Sequence, residues 1–169
     1  EIARYEKKSA GHGHINTIHI WWSRKPLGVC RAVAAASLWP DPCDKNCPHE
    51  FIEETKKILI KIAESYLHLL SPESYKRFNQ YRINKHLLES NEELQKALLD
   101  FIADLTDTEK CLNSELTDLA IKLTLAANTS MYPHVSGKPV VLDPFSGGGS
   151  FPLEATRIGA SAISSDLSP

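Results

Sequence analysis

The stretch Lys138-Pro139-Val140-Val141-Leu142-Asp143-Pro144-Phe145-Ser146-Gly147-Gly148-Gly149-Ser150 breaks with everything before it in this chain. Its first part, Lys138 to Asp143, is a short β-branched run, the pattern of a buried parallel strand. Three consecutive glycines follow at 147–149, and a helix is expected from about Ser150 to Arg157, closed by Gly159. A second strand, Ser161 to Asp166, completes a β-loop-α-β unit. Glycines at such a turn let the backbone approach a ligand without a Cβ clash.

Two acids stand at the strand ends. Asp166 follows the glycines at close to the roughly 20-residue interval at which an acid takes ribose hydroxyls. Against the pattern G-x-G-x-x-G, Gly147 and Gly149 fit, but Pro152 stands where the third glycine belongs. No Gly-Lys-Ser/Thr of a phosphate-binding loop is present. Asp143 would repel a pyrophosphate and attract the ammonium and sulfonium of S-adenosylmethionine. The electrostatics therefore favour a cationic cofactor over NAD. The plainer alternative makes the glycines a tight turn and Asp166 a helix cap. Glu154, on the first turn of the helix, either faces the cleft or, as we prefer, complements the helix dipole.

Upstream, the chain reads as mostly helical. Glu1 to about Asn16 is polar and irregular, and Thr17-Ile18-His19-Ile20-Trp21-Trp22 is a short strand-like run. Pro26 suits the first turn of a helix reaching Leu38, which Trp39-Pro40-Asp41-Pro42 ends. Phe51, Ile58, Leu59, Ile62 and Ala63 recur at helical spacing. Ser71-Pro72 opens another helix to about Leu88. Leu94 to Leu105 and Leu116 to Ala127 mark two more. The expected organisation is a helical region over 1–137 and the first β-α-β unit of an α/β domain over 138–169.

The 169 residues are 42% hydrophobic and 24% charged, with a net charge of -2. That charge leaves no basic footprint for nucleic acid, so any DNA contact is expected largely outside this chain. No apolar run approaches the ~18–20 residues of a membrane span, and no signal-peptide pattern opens the chain. A cytoplasmic location is the default. Both ends, Glu1 and Pro169, read as cut. Cys43, Cys47 and His49 have a spacing that could begin a metal site. Zinc needs four ligands, and reduced thiols in a turn are the preferred reading, with no metal expected.

The residues also carry a resemblance. Asp143-Pro144-Phe145-Ser146-Gly147-Gly148-Gly149-Ser150 resembles the D-P-F-x-G-x-G motif of amino-group DNA methyltransferases. Ile20-Trp21-Trp22-Ser23-Arg24-Lys25-Pro26-Leu27 resembles the W-W-A-R-R-P-L signature of large prokaryotic adenine-specific DNA methylases, which lies in an N-terminal domain of unknown function. The resemblance implies a class I, Rossmann-like α/β sheet of seven strands and methyl transfer from S-adenosylmethionine to the N6 of adenine in DNA. It implies that Asp143, Pro144, Phe145, Ser146, Gly147 and Gly149 line the methionine end of the cofactor. Asp166 would take the ribose, and Arg24-Lys25-Pro26-Leu27 resembles a segment that packs beside the cofactor in several such enzymes, although there D-P-F soon follows and here a helical block intervenes. Trp22 either contacts a base or, in the more frequent use of tryptophan, packs in the interior, and Glu154 is the remaining cleft candidate. No residue of the sequence is expected to be catalytic, because the amine-holding [N/D/S]-P-P-[Y/F] motif of such enzymes does not occur in it. An RNA methyltransferase and a non-catalytic helical interaction module are the alternatives.

Overall fold

The computed structural model describes residues 25–167. Trp21, Trp22, Ser23, Arg24 and the histidines before them lie outside the described residues.

Pro26, in extended conformation, leads into α1 (Leu27–Leu38). The helix stops at Trp39, before Pro40. The Trp39 ring is buried and stacks on Phe101 with centroids 6.2 Å apart, and its Nε1 donates to Thr124 Oγ1 at 2.9 Å. In α2 (His49–Ser65) the buried residues Phe51, Thr55, Ile58, Leu59, Ile62 and Ala63 form one stripe at helical period. Ser71 caps α3 (Pro72–Ile83) by accepting the Ser74 N–H, with Pro72 in the first turn. This helix ends five residues short of the expected Leu88. The Asn84 side chain accepts the His86 N–H and turns Lys85–Glu89 into a 3₁₀ turn. Next come α4 (Asn91–Leu105), the single turn α5 (Thr108–Cys111) and α6 (Ser114–Met131). The Asn113 side chain caps α6 by accepting the N–H groups of Glu115 and Leu116.

After α6 the chain forms β1 (Val140–Asp143), α7 (Ser150–Arg157) and β2 (Ser161–Ser164). The strands pair in parallel, Val140 opposite Ser161 and Asp143 opposite Ser164. The apolar core is continuous across residue 138. Ala155, Ile158 and Ala160 belong to the same buried cluster as Phe51, Leu59, Phe101 and Leu123.

The expected class I α/β sheet is overturned. Among the described residues the chain is mostly helical, and its sheet has two strands. The reason lies in the apolar pattern: most of the core is supplied by side chains at helical period, and only two four-residue runs adopt strand. The expectation of a buried parallel strand is corrected as well. Val141 packs on the core, but on the outer face Leu142 is 67% and Ile163 59% exposed. Among the described residues, this two-stranded sheet with one helix layer has nothing over its second face.

One close approach sets how α1 sits. A Cβ on Gly28 would collide with the Thr106 carbonyl, so only glycine lets α1 lie this near the end of α4. No described helix is long and apolar enough to cross a membrane.

Candidate functional site

Parallel pairing sends β1 and β2 out at the same end, so Asp143 and Asp166 emerge on one side of the sheet. The ladder continues past the strands. The Ser165 N–H donates to the Asp143 carbonyl and the Ser146 N–H to the Ser165 carbonyl, each at 3.0 Å. The Ser146 hydroxyl donates to that same Ser165 carbonyl at 3.1 Å. These bonds hold the 144–149 loop against the exit of β2.

Gly147 (φ 51°) and Gly149 (φ 71°) are both left-handed, a conformation costly for other residues. Among the described residues a Cβ on either would meet nothing within 4 Å. Backbone conformation demands glycine at these two positions, and open space stands beside them.

Four of the loop's backbone donors are engaged within the protein. Asp143 Oδ1 accepts the Phe145 N–H at 3.2 Å, and Asp166 Oδ2 accepts the Gly147 N–H at 2.6 Å. The Ser146 N–H goes to Ser165, and the Gly149 N–H donates to the Ser146 carbonyl at 2.9 Å. A phosphate cradle works by pointing such N–H groups at the ligand. Here two of them meet carboxylates, which makes the loop mouth acidic. Pro144 and Phe145 are exposed beside it, Phe145 at 76%. The residues fit a ligand that brings positive charge and tolerates an aromatic neighbour better than one that brings pyrophosphate. Asp143, Pro144, Phe145, Ser146, Gly147, Gly149 and Asp166 therefore lie together at the shared exit of the two strands.

Glu154 is elsewhere. It is 0% exposed, inside the contact between α7 and α1, and its Oε2 pairs with Arg31 Nε at 2.6 Å and Arg157 Nε at 3.2 Å. Neither a cleft role nor a simple dipole role describes it. The sequence reasoning missed Arg31, the one charged residue in the otherwise apolar and small-residue helix Leu27–Leu38. That isolation was the available signal. Arg31 is 1% exposed, and its Nη1 donates to the Leu105 carbonyl at the C-terminal end of α4. Its Nη2 is buried without a hydrogen-bond partner among the described residues. Lys25 is exposed just ahead of α1. Trp22 and Arg24 fall outside the described residues.

Cys43, Cys47 and His49 sit around a turn built by Asp41 and Asp44, whose Oδ1 atoms accept the Cys43 and Asn46 N–H groups at 2.8 Å. Burial, then the charges of Asp41 and Asp44, push the Cys47 thiol up to about 11, which disfavours the thiolate a metal needs. Among the described residues no group of three or more His, Cys, Asp or Glu is placed to hold a metal ion. A cavity of about 280 Å³ borders this turn, lined by Trp39, Asp41, Cys47, Asn128, Tyr132 and Pro139. It lies at the entry of β1, the far end of that strand from the glycine loop.

No curated protein and no solved structure matches the chain. Residues 1–62 match a family model described as Protein of unknown function (DUF1156), a span that takes in Arg31 and all of α1 but stops well short of the glycine loop.

Proposed function

We propose that this chain supplies the methyl-donor end of an S-adenosylmethionine-dependent methyltransferase acting in the cytoplasm on the N6 amine of adenine in DNA. The observation that carries this is the placement of Asp143 and Asp166 around one glycine loop at the shared exit of two parallel strands, with the Gly147 N–H held by a carboxylate. An acidic mouth whose carboxylates hold the Phe145 and Gly147 amides suits ammonium and sulfonium groups. Asp143, Pro144, Phe145, Ser146, Gly147 and Gly149 would hold the methionine end, and Asp166 the ribose.

The cofactor supplies an activated methyl group, and the residues here bind and orient it so that the amine can attack in line. Extrusion of the target base from the duplex belongs to the same chemistry. The amine-holding residues and the main DNA grip are assigned outside this chain, in keeping with its net charge of -2 and the missing Pro-Pro motif.

Calorimetry with S-adenosylmethionine tests the donor site. Heat of binding is expected for the protein and none for Asp143→Ala; absence of heat in both, or equal heat in both, overturns the reading. Methyl transfer assayed on duplex DNA and on RNA tests the substrate, and transfer to RNA alone removes the DNA assignment. The dominance of helices over strand favours a second reading, a non-catalytic helical module that docks a partner. It predicts no cofactor heat at all.

A further inference from the structure

We propose that Arg31 is a positioning residue for the glycine loop, acting through Glu154; the proposal rests on the methyl-donor reading of that loop. The two side chains join α1 to α7 across 123 positions of sequence, and both are almost wholly withdrawn from solvent. Desolvating an ion pair costs so much that apolar side chains of the same volume often stabilise a protein as well or better. Stability alone therefore gives a poor account of the pair.

Direction is what the pair adds. A planar guanidinium fork holds its acceptors in one geometry, where packed methylenes would slide. Arg31 places Nε on Glu154 and Nη1 on the Leu105 carbonyl, so α7 is fixed relative to α1 and α4 together. Glu154 lies about one turn beyond Ser150, at a rise of ~1.5 Å per residue, so the constraint passes along a rigid helix to Gly149. The other end of the loop is held by the β1–β2 ladder and the bonds of Ser146 to Ser165. With both ends anchored, Gly147 stays within reach of Asp166 and the two acids keep their spacing around the loop.

The same anchor ties Leu27, one turn ahead of Arg31 at the start of α1, to the helix of the glycine loop.

The double variant Arg31→Met with Glu154→Leu replaces the pair by apolar side chains of similar size. Its expected behaviour is wild-type resistance to urea, amide exchange at Gly147–Ser150 faster by on the order of tenfold, and S-adenosylmethionine affinity weaker by on the order of tenfold. Arg31→Lys, which keeps the charge and loses the fork, should move the same two readouts in the same direction, and it carries the test alone if the double variant does not fold. Wild-type loop exchange in a folded variant overturns the proposal, because the pair then only packs α1 on α7. Faster loop exchange in a protein whose wild type binds no S-adenosylmethionine upholds the positioning and removes the methyl-donor reading instead.

Discussion

Leu59 in α2 and Leu142 in β1 are the same side chain in opposite circumstances: the first is 0% exposed, the second 67%. The contrast holds for the regions around them. From α1 to α6 the helices bury a continuous stripe from each neighbour, with Phe51, Phe78, Leu94, Phe101 and Leu116 all fully enclosed. The β1–α7–β2 unit contributes Ala155, Ile158 and Ala160 to that core and leaves Val140, Leu142 and Ile163 facing out. The helical block and the strand unit share one core, joined mainly where α1 packs on α7. A ligand loop built on a supported element can keep a polar, open mouth without weakening the core that carries it.

The comparison breaks most visibly in the helical core. Phe101→Ala removes a fully buried ring that stacks on Trp39 and should cost about 3–5 kcal/mol in urea denaturation. A loss below 1 kcal/mol, by the same arithmetic, would mean that the helices are not the seat of stability. Gly28→Ala comes next, at about 1–3 kcal/mol, since the added methyl meets the Thr106 carbonyl and pushes α1 off the end of α4. Asn113→Ala deprives Glu115 and Leu116 of their N-cap acceptor and should cost about 1 kcal/mol, seen as fraying at the start of α6 in amide exchange. Leu142→Ala should change stability by less than about 0.5 kcal/mol, as an exposed side chain does. A larger loss would show that the outer sheet face is covered in solution.

Titration sharpens the same contrast by a smaller amount. Glu93 in α4 is held below the usual carboxylate range chiefly by its hydrogen bond from Lys96, helped by Tyr81 and opposed by partial burial. A depressed carboxylate stabilises above its unfolded pKa, and that contribution is lost as pH falls through the folded value. Acid unfolding of the helical block should therefore move to slightly higher pH in Glu93→Gln. Cys47 has the opposite sign. Its thiol, raised to about 11, contributes below the unfolded thiol value and loses that contribution as pH rises toward 11. Cys47→Ser should flatten the alkaline limb of a stability–pH curve.

Much of the local structure was legible from residue type. Ser71-Pro72 announced the start of α3, the spacing of Phe51, Ile58 and Ile62 gave α2, and the two prolines after Trp39 marked where α1 stops. The glycines and the acids of the loop were also readable, because a turn and its strand ends are local. The number of strands was not. Val140-Val141-Leu142 has the same composition in a two-stranded sheet as in a larger one, and only its neighbours in space decide which. Glu154 failed for a related reason. Its environment is set by Arg31, and nothing within one turn of either residue announces the other.

The separation of that pair in sequence also bears on how the molecule assembles. Closing so long a loop is entropically unfavourable until the helices between have shortened the gap. The contact of α1 with α7 spans more of the chain than any other packed pair of described helices, so its closure entropy is the largest among them. The glycine loop thus hangs between a local ladder at one end and, through α7, the most non-local helix contact of the described chain at the other.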